Sequence, residues 1–383
     1  MHLLVSKFLA EEYRKKFLTF YSSNNDFLAY ALFTWVIDNL KFKYRRKITV
    51  TEQSGNNLID YQVLIELNSS NFDFSHAKSD GSDIRFYDGN NFLPYWIEKW
   101  DSISQEAKIW VKVSYIPANE SVSFHIYYGN PNIISASSVS SVFIREIDGC
   151  VASWHLDEGT GSIVYDASGN NNDGTIYGGA TWVDGKFGKA LSCDGGKDYV
   201  EVPDSDSLDI TDAITMECRV KLNELASVKG SPNHFIRKLP DVYSLRQERT
   251  NDRVRFALTL NGTVVQFTSN TALGVGKFYH VVATYDSELM KIYIDGTFDK
   301  DNSAAGTIDV STDPLRIGRG DPGGYLNGII DEVRVYNRAL TPEEISDLYA
   351  NYGYTTPNYP NKVLVRKRVD PEPSINIGNE EIS

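Results

Sequence analysis

The sequence predicts a mainly β protein, with two β-sandwich domains behind an N-terminal helical extension. Three observations carry this. The chain is rich in residues that suit pleated, half-buried surfaces, with 23 Tyr and 18 Phe among 383 residues. From residue 44 onward, short runs alternate apolar and polar residues and are separated by Gly, Asn, Asp and Ser clusters. Before residue 44 the apolar residues recur instead at helical spacing. A length of 383 residues accommodates two or three domains, and 41% hydrophobic with 23% charged residues suffices for cores.

The elements follow in chain order. Residues 1–43 contain "LAEEYRKKFLTFY" and "DFLAYALFTWVIDNL", two helical patterns, with Asp26 placed to cap the second. The apolar run 27–37 is shorter than the roughly 18–20 residues that span a bilayer, and no ordinary signal-peptide pattern precedes it. The basic word "KFKYRRK" (41–47) follows it directly. The expectation is a docking or anchor segment that joins other structural subunits, with membrane contact through residues 27–47 as the alternative. Residues 44–130 alternate with period two in "KITVT", "YQVLIEL", "DIRFY", "AKIWVKV" and "SVSFHIYY", which predicts an immunoglobulin-like or jelly-roll sandwich. Trp96, Trp100 and Trp110 are its expected core and rim.

Residues 131–149 form a connector rich in Ser and Val, and a second β domain spans 150–352. Its words "HVVATYD", "MKIYIDG" and "IDEVRVY" are alternating strands closed by turns. In "TPEEISDLY", Thr341 as N-cap, Pro342 at N1 and Glu344 at N3 predict one short helix with a capping box. Residues 353–383 hold a strand, "KVLVRKRV" (362–369), and a tail. A lone strand leaves its backbone groups unpaired, so residues 360–378 are expected to run back and pair with the 44–130 domain. Cys150, Cys193 and Cys218 give no paired spacing, and a Cys193–Cys218 bridge requires their strands to be neighbours.

The stretch "YDASGNNNDGTIYGG" (165–179) joins two strands. Asp166, Asn170, Asn172 and Asp173 supply hard oxygens, and Gly169 and Gly174 let carbonyls turn inward. Two readings stand: a Ca²⁺ site built from oxygen ligands, or a loop held by its own Asx-turn hydrogen bonds. It lacks the EF-hand spacing.

Two family resemblances extend this reading. "YRRKITV", "DYQVLIEL", "NFDFSHAKSDGSDIRFYDG", "LPYWIEKWD", "AKIWVKV" and "IYYGNP" resemble a domain family of unknown function found in archaeal and bacterial surface proteins. That family usually has a Trp before the Y-R-R, where Phe42 stands nearby. "VASWHLDEGTGSIVYDASGNNNDGTIYGG", "KFYHVVATYDSELMKIYIDG" and "LRIGRGDPGGYLNGIIDEVRVYNRALTPEEISDLY" resemble the laminin-G-like, concanavalin A-like jelly-roll family over about residues 150–350. The second resemblance implies a structural Ca²⁺ with Asp166, Asn172 and Asp331 as side-chain ligands and Gly169 and Asn170 as carbonyl donors. It also implies glycan or protein binding through loops at one rim. Aromatic faces suit sugar stacking, and Trp182, Tyr199, Tyr243 and Tyr325 are the candidates in or near such loops.

The sequence excludes several function classes. A net charge of −13 argues against a nucleic-acid partner. No metalloprotease, nucleophile-elbow, P-loop or dinucleotide motif occurs. The glycosidase pattern E-x-D-x-x-E fails in "EIDGCV" (146–151), and Asp331 and Glu332, being adjacent in a strand, point to opposite faces. The RGD tripeptide at 319–321 lies in a Gly-rich loop and reads as a chance match. The expectation is therefore a non-enzymatic protein of a virion, cell surface or extracellular space that recognises a cell-surface glycan or protein receptor, as an adhesion module does. The alternative is a purely structural envelope, filament or capsid-associated protein, and a glycoside hydrolase is the weaker third.

Overall fold

The computed structural model describes residues 41–320 and 323–383. The expected helical extension therefore lies outside the described residues, apart from its last three positions. Of the basic word 41–47, Tyr44 onward forms the first strand. Among the described residues no helix is long and apolar enough to cross a membrane. The described residues divide into two compact units, 41–142 with 373–383, and 143–372. The strand pairs of both are antiparallel.

Unit 1 contains β1 (Tyr44–Thr51), β2 (Leu58–Asn68), β3 (Arg85–Tyr87), β4 (Phe92–Leu93), β5 (Tyr95–Asp101), β6 (Glu106–Ile116) and β7 (Ser121–Tyr128). One sheet runs β1-β7-β3-β4 and the other β2-β6-β5. Ile48, Val63, Ile65, Ile109, Val111, Phe124 and Ile126 are buried, as the period-two reading requires. Trp96 and Trp110 are buried, while Trp100 packs on Phe72 and Phe74 at ring distances of 5.8 and 5.2 Å. Two of the unit's sequence words meet at Asp83. Its Oδ1 accepts the Lys78 N–H at 2.9 Å, and its Oδ2 accepts the Gly129 and Asn130 N–H groups at 2.8 and 3.1 Å. Gly129 has φ +85° with the Tyr44 ring against it, so "YYGNP" needs glycine there. These residues hold the sandwich together.

Unit 2 begins with β8 (Arg145–Asp148) and β9 (Cys150–Trp154). The segment 131–149, expected as a plain connector, thus contains a strand whose Ile147 is fully buried. Then come β10 (Ile163–Val164), β11 (Gly174–Tyr177), β12 (Thr181–Asp184), β13 (Lys189–Asp194), β14 (Tyr199–Val202), β15 (Ile214–Leu222), β16 (Asn233–Lys238), β17 (Tyr243–Gln247), β18 (Arg253–Leu260) and β19 (Thr263–Ala272). The remainder are β20 (Phe278–Tyr285), β21 (Leu289–Ile294), β22 (Thr297–Ser303), β23 (Leu315–Ile317), β24 (Asn327–Tyr336), β25 (Tyr352–Tyr354) and β26 (Lys362–Arg366). The front sheet runs β10-β11-β14-β23-β16-β17-β18-β19. The back sheet runs β12-β13-β24-β15-β20-β21-β22, with β9 also paired to β24. Between them lies one core that includes Trp154, Val200, Met216, Phe235, Leu245, Phe256, Val281 and Ile317.

The back sheet is covered on its outer side. The helix Pro342–Ala350 carries the expected capping box. Its Ile345 and Leu348 share a second apolar cluster with Ile147, Tyr336, Val363 and Val365. This corrects the expectation for "KVLVRKRV": β26 pairs with β8 and β25 inside unit 2, because Val363 and Val365 complete that cluster. The strand that returns to unit 1 is a later one, β27 (Ser374–Ile382), which pairs with β1 along its length. Cys193 and Cys218 are free and buried. Their strands β13 and β15 flank β24, and two strand spacings of roughly 4.8 Å exceed the reach of a disulfide.

Under the helix lies a charged network whose Glu217, Glu332, Arg334 and His280 are buried. Arg334 Nη1 donates to Glu217 Oε1 at 3.2 Å, and Arg334 also pairs with Glu332 and donates to the Gly353 carbonyl at 2.6 Å. Tyr336 donates to Glu217 at 2.8 Å, His280 Nε2 lies 3.0 Å from Glu217, and His155 Nδ1 lies 3.0 Å from Glu332. Burial pushes the Glu217 carboxyl up, but Arg334, His280 and Tyr336 together outweigh it and hold the group down at about 2.

Candidate functional site

The Asn-rich loop can be tested for Ca²⁺ residue by residue. Asp166 Oδ1 accepts the Ser153 and Ser168 N–H groups, both at 2.9 Å. Its Oδ2 accepts the Ser168 hydroxyl at 2.7 Å and the Asn172 N–H at 3.0 Å. Asn172 Oδ1 accepts the Ser205 hydroxyl at 2.6 Å, and its amide donates to the Val151 carbonyl at 2.9 Å. Asn170 donates to Val151 at 3.0 Å and to Asn361 at 2.8 Å. Gly169 adopts φ +92° and backs onto Pro360. Asp331 faces a different loop, where Oδ2 accepts the Lys186 and Phe187 N–H groups at 2.7 and 3.1 Å. Hydrogen bonds occupy both Asp166 oxygens and Asn172 Oδ1, whereas Asp331 Oδ1 is buried without a partner, and the two carboxylates face different loops. Among the described residues no group of three or more His, Cys, Asp or Glu is placed to hold a metal ion. The oxygens of the Asn-rich loop are engaged as the hydrogen-bonded reading expects, with Asp331 outside that network.

The four aromatic candidates separate. Tyr243 is fully buried in the core and donates to the Leu208 carbonyl at 3.1 Å, so it is not a ligand-facing residue. Its neighbours on β17 alternate, and its parity puts it inside with Leu245. Trp182 lies on the back sheet, half-buried against the core, with Nε1 donating to the Gly161 carbonyl at 3.2 Å. Tyr199 and Tyr325 do come together, with ring centroids 6.4 Å apart. The structure adds Tyr177, which is 45% exposed and stacks on Tyr199 at 5.2 Å with planes 16° apart. It also adds Arg319, whose guanidinium lies 4.6 Å from the Tyr199 ring and 5.5 Å from the Tyr325 ring. Arg316 lies 5.7 Å from the Tyr199 ring and pairs with Glu201 at 2.9 Å. Aromatic faces with adjacent guanidiniums are a surface for stacking and hydrogen-bonding a polar ring.

Strand alternation creates this face. Val200 and Val202 of β14 and Leu315 and Ile317 of β23 enter the core, so Tyr199, Glu201 and Arg316 turn outward. A bulge in β16 puts both Phe235 and Ile236 into the core and leaves His234 and Arg237 on the outer side. The loop after β23 folds over His234, and a side chain at Gly320 or Gly324 would overlap its ring. This loop carries the RGD tripeptide, of which Asp321 lies outside the described residues. Lys229 secures it by donating to the Tyr325 carbonyl and, at 2.6 Å, to Asn233 Oδ1. Burial lowers the Lys229 ammonium to about 8.

Sequence reasoning missed Tyr177, Arg319, His234, Arg246 and Arg255. A signal exists for the last: in "DRVRFAL", Arg253 and Arg255 alternate with Val254 and Phe256, which places arginines on a solvent face. Tyr177 stood at the edge of the Asn-rich stretch, whose polar residues drew attention to metal chemistry.

Residues 194–346 match the family model of the concanavalin A-like lectin/glucanases superfamily, and residues 80–157 match that of a domain of unknown function (DUF2341). No curated protein matches the chain in sequence. Similar solved structures include the binding domain of Paraclostridial Mosquitocidal Protein 1, at 16% identity and TM-score 0.45, covering 52% of this chain and 52% of that one. Domain 4 of AbnA, an extracellular arabinanase from Geobacillus stearothermophilus in complex with arabinotriose, has 20% identity and TM-score 0.45, covering 53% and 98%. The botulinum neurotoxin serotype G binding domain has 14% identity and TM-score 0.43, covering 52% and 50%. The chain thus spans about half the length of the first and third of these. Unit 2 is a concanavalin A-like jelly roll, and the chain carries this domain preceded by one of the DUF2341 family.

Proposed function

We propose that unit 2 is a carbohydrate-recognition module and that the protein is a non-enzymatic surface component of a cell or virion. The observation that carries this reading is the Tyr177–Tyr199 stack, exposed at Tyr177 and half-buried at Tyr199, with Tyr325 and Arg319 on the outer face of the front sheet. Flat rings flanked by donors suit the apolar face and hydroxyls of a sugar. The expectation that Asp331 and Glu332 point to opposite faces is corrected: Ile330 and Val333 both enter the core and Glu332 has φ +50°, so both carboxylates leave the core side, Glu332 held by His155 and Arg334 and Asp331 by the Lys186 and Phe187 N–H groups. The partner is then a glycan or a glycosylated receptor.

The test is binding of the full-length protein to an oligosaccharide array, followed by titration of the best hit. Tyr199→Ala and Tyr177→Ala are each expected to weaken that hit by about 3- to 10-fold, the worth of one stacked ring, with an unchanged melting temperature. Full affinity in both variants, or hydrolysis of the bound glycan, rejects the proposal.

A further inference from the structure

The outer face of the front sheet carries more positive charge than its tyrosines need. His234, Arg246 and Arg255 form one cross-strand row over β16, β17 and β18. Arg246 Nη1 lies 3.4 Å from His234 Nε2. A guanidinium only donates, so Nε2 accepts and the imidazole proton sits on Nδ1. His234 Nδ1, Arg246 Nε and Arg255 Nε are all buried without a hydrogen-bond partner. Three adjacent residues thus each hold a donor with no acceptor, where buried donors are ordinarily satisfied. The charges are also unbalanced. Arg246 and Arg255 share one carboxylate oxygen, Glu248 Oε2, at 3.3 and 2.9 Å. In the next row Arg237 and Arg316 each have an acid of their own, Asp241 and Glu201. The shared carboxylate leaves one guanidinium charge uncompensated on a chain whose net charge is −13.

The two guanidiniums remain partly open to solvent, with side-chain exposures of 20% and 25%. Arg246 lies three strands from Tyr199 in the sheet order. At about 4.8 Å per strand this is roughly 14 Å, which selects an oligosaccharide lying across the strands rather than a single sugar. A nucleic acid fits poorly, because its phosphates would meet the acidic remainder of the chain.

We propose that Arg246 and Arg255 bind a carboxylate or sulfate on an acidic oligosaccharide whose other residues stack on Tyr199 and Tyr177. This rests on the reading of unit 2 as a carbohydrate-recognition module. A guanidinium offers paired donors in the plane that a carboxylate or sulfate presents, and a half-buried position limits screening by salt.

The experiment uses the full chain on an array of neutral, carboxylated and sulfated oligosaccharides, then titrates the best acidic hit beside its neutral parent. The acidic form is expected to bind about tenfold or more tightly than the parent, with the preference shrinking as NaCl rises. The R246Q/R255Q double variant is expected to lose that preference and keep the affinity for the neutral parent. Equal binding of both forms by the unmodified protein overturns this assignment and leaves the carbohydrate reading standing. An acidic preference that survives in a folded R246Q/R255Q protein also overturns it. If that variant does not fold, the salt series on the unmodified protein decides: a preference independent of NaCl overturns the assignment. Failure to bind any oligosaccharide defeats the carbohydrate reading, and this assignment with it.

Discussion

Arg334→Met isolates the buried charge network of unit 2. Arg334 stands opposite Glu217 in the β15–β24 register, with 2% of its side chain exposed. The substitution keeps apolar volume and removes the cation between Glu217 and Glu332, each 1% exposed. It also leaves the Gly353 carbonyl without its donor. Two carboxylates then remain in the interior with imidazole and phenol as hydrogen-bond partners, and only the more distant Arg219 and Arg368 as cations. Breaking a buried pair by removing one member costs about 3–5 kcal/mol. For a domain of this size each kcal/mol lowers the melting temperature by roughly 2–4 °C, so the expected fall is roughly 6–20 °C. The assay is thermal unfolding of the full chain followed by circular dichroism at neutral pH. A second measurement tests the cause. In a Glu217→Gln/Glu332→Gln background the charges are already neutral, so adding Arg334→Met should cost less than half as much. An Arg334→Met protein within about 1 kcal/mol of the parent, or an equal cost in both backgrounds, would refute the reasoning.

Two further predictions concern the same unit. Asp166→Ala removes the acceptor for four hydrogen bonds in the Asn-rich loop and is expected to destabilise by about 2–4 kcal/mol. Calorimetry should show the same loss with excess CaCl₂ and with EDTA, and a loss confined to the calcium sample would restore the metal reading. Acid should also destabilise through Glu217, whose folded-state carboxyl sits at about 2, below its ordinary value of 4.5. Its stabilising contribution is complete above about 4.5 and is lost as pH falls toward 2, on the order of 3 kcal/mol in all. Glu217→Gln should therefore flatten the melting temperature between those pH values, and an unchanged acid slope would remove Glu217 from the account.

The sequence by itself determined the local order. Alternation in "HVVATYD" and "IDEVRVY" marks strands because side chains on a pleat point alternately to two sides, and Thr341 with Glu344 starts a helix because a side-chain oxygen satisfies an early N–H. What it could not determine is which side of each strand faces inward and which segments meet. Tyr199 and Tyr243 both lie in alternating strands, yet one turns to solvent and the other to the core, and neither local pattern distinguishes them. Asp166 and Asp331 both suit a cation by chemistry, but their carboxylates turn to separate loops. The weakly apolar "SINIGNEEI" gave little sign of a strand, yet β1 offers it an open edge, while the strongly apolar "KVLVR" is held by the cluster beneath the helix. His234, Arg246 and Arg255 are far enough apart in sequence that only sheet register puts them in one row. Propensity and alternation act over a few residues, whereas burial, acceptor competition and strand pairing are settled by neighbours distant in the chain, and the functional face is made of those neighbours.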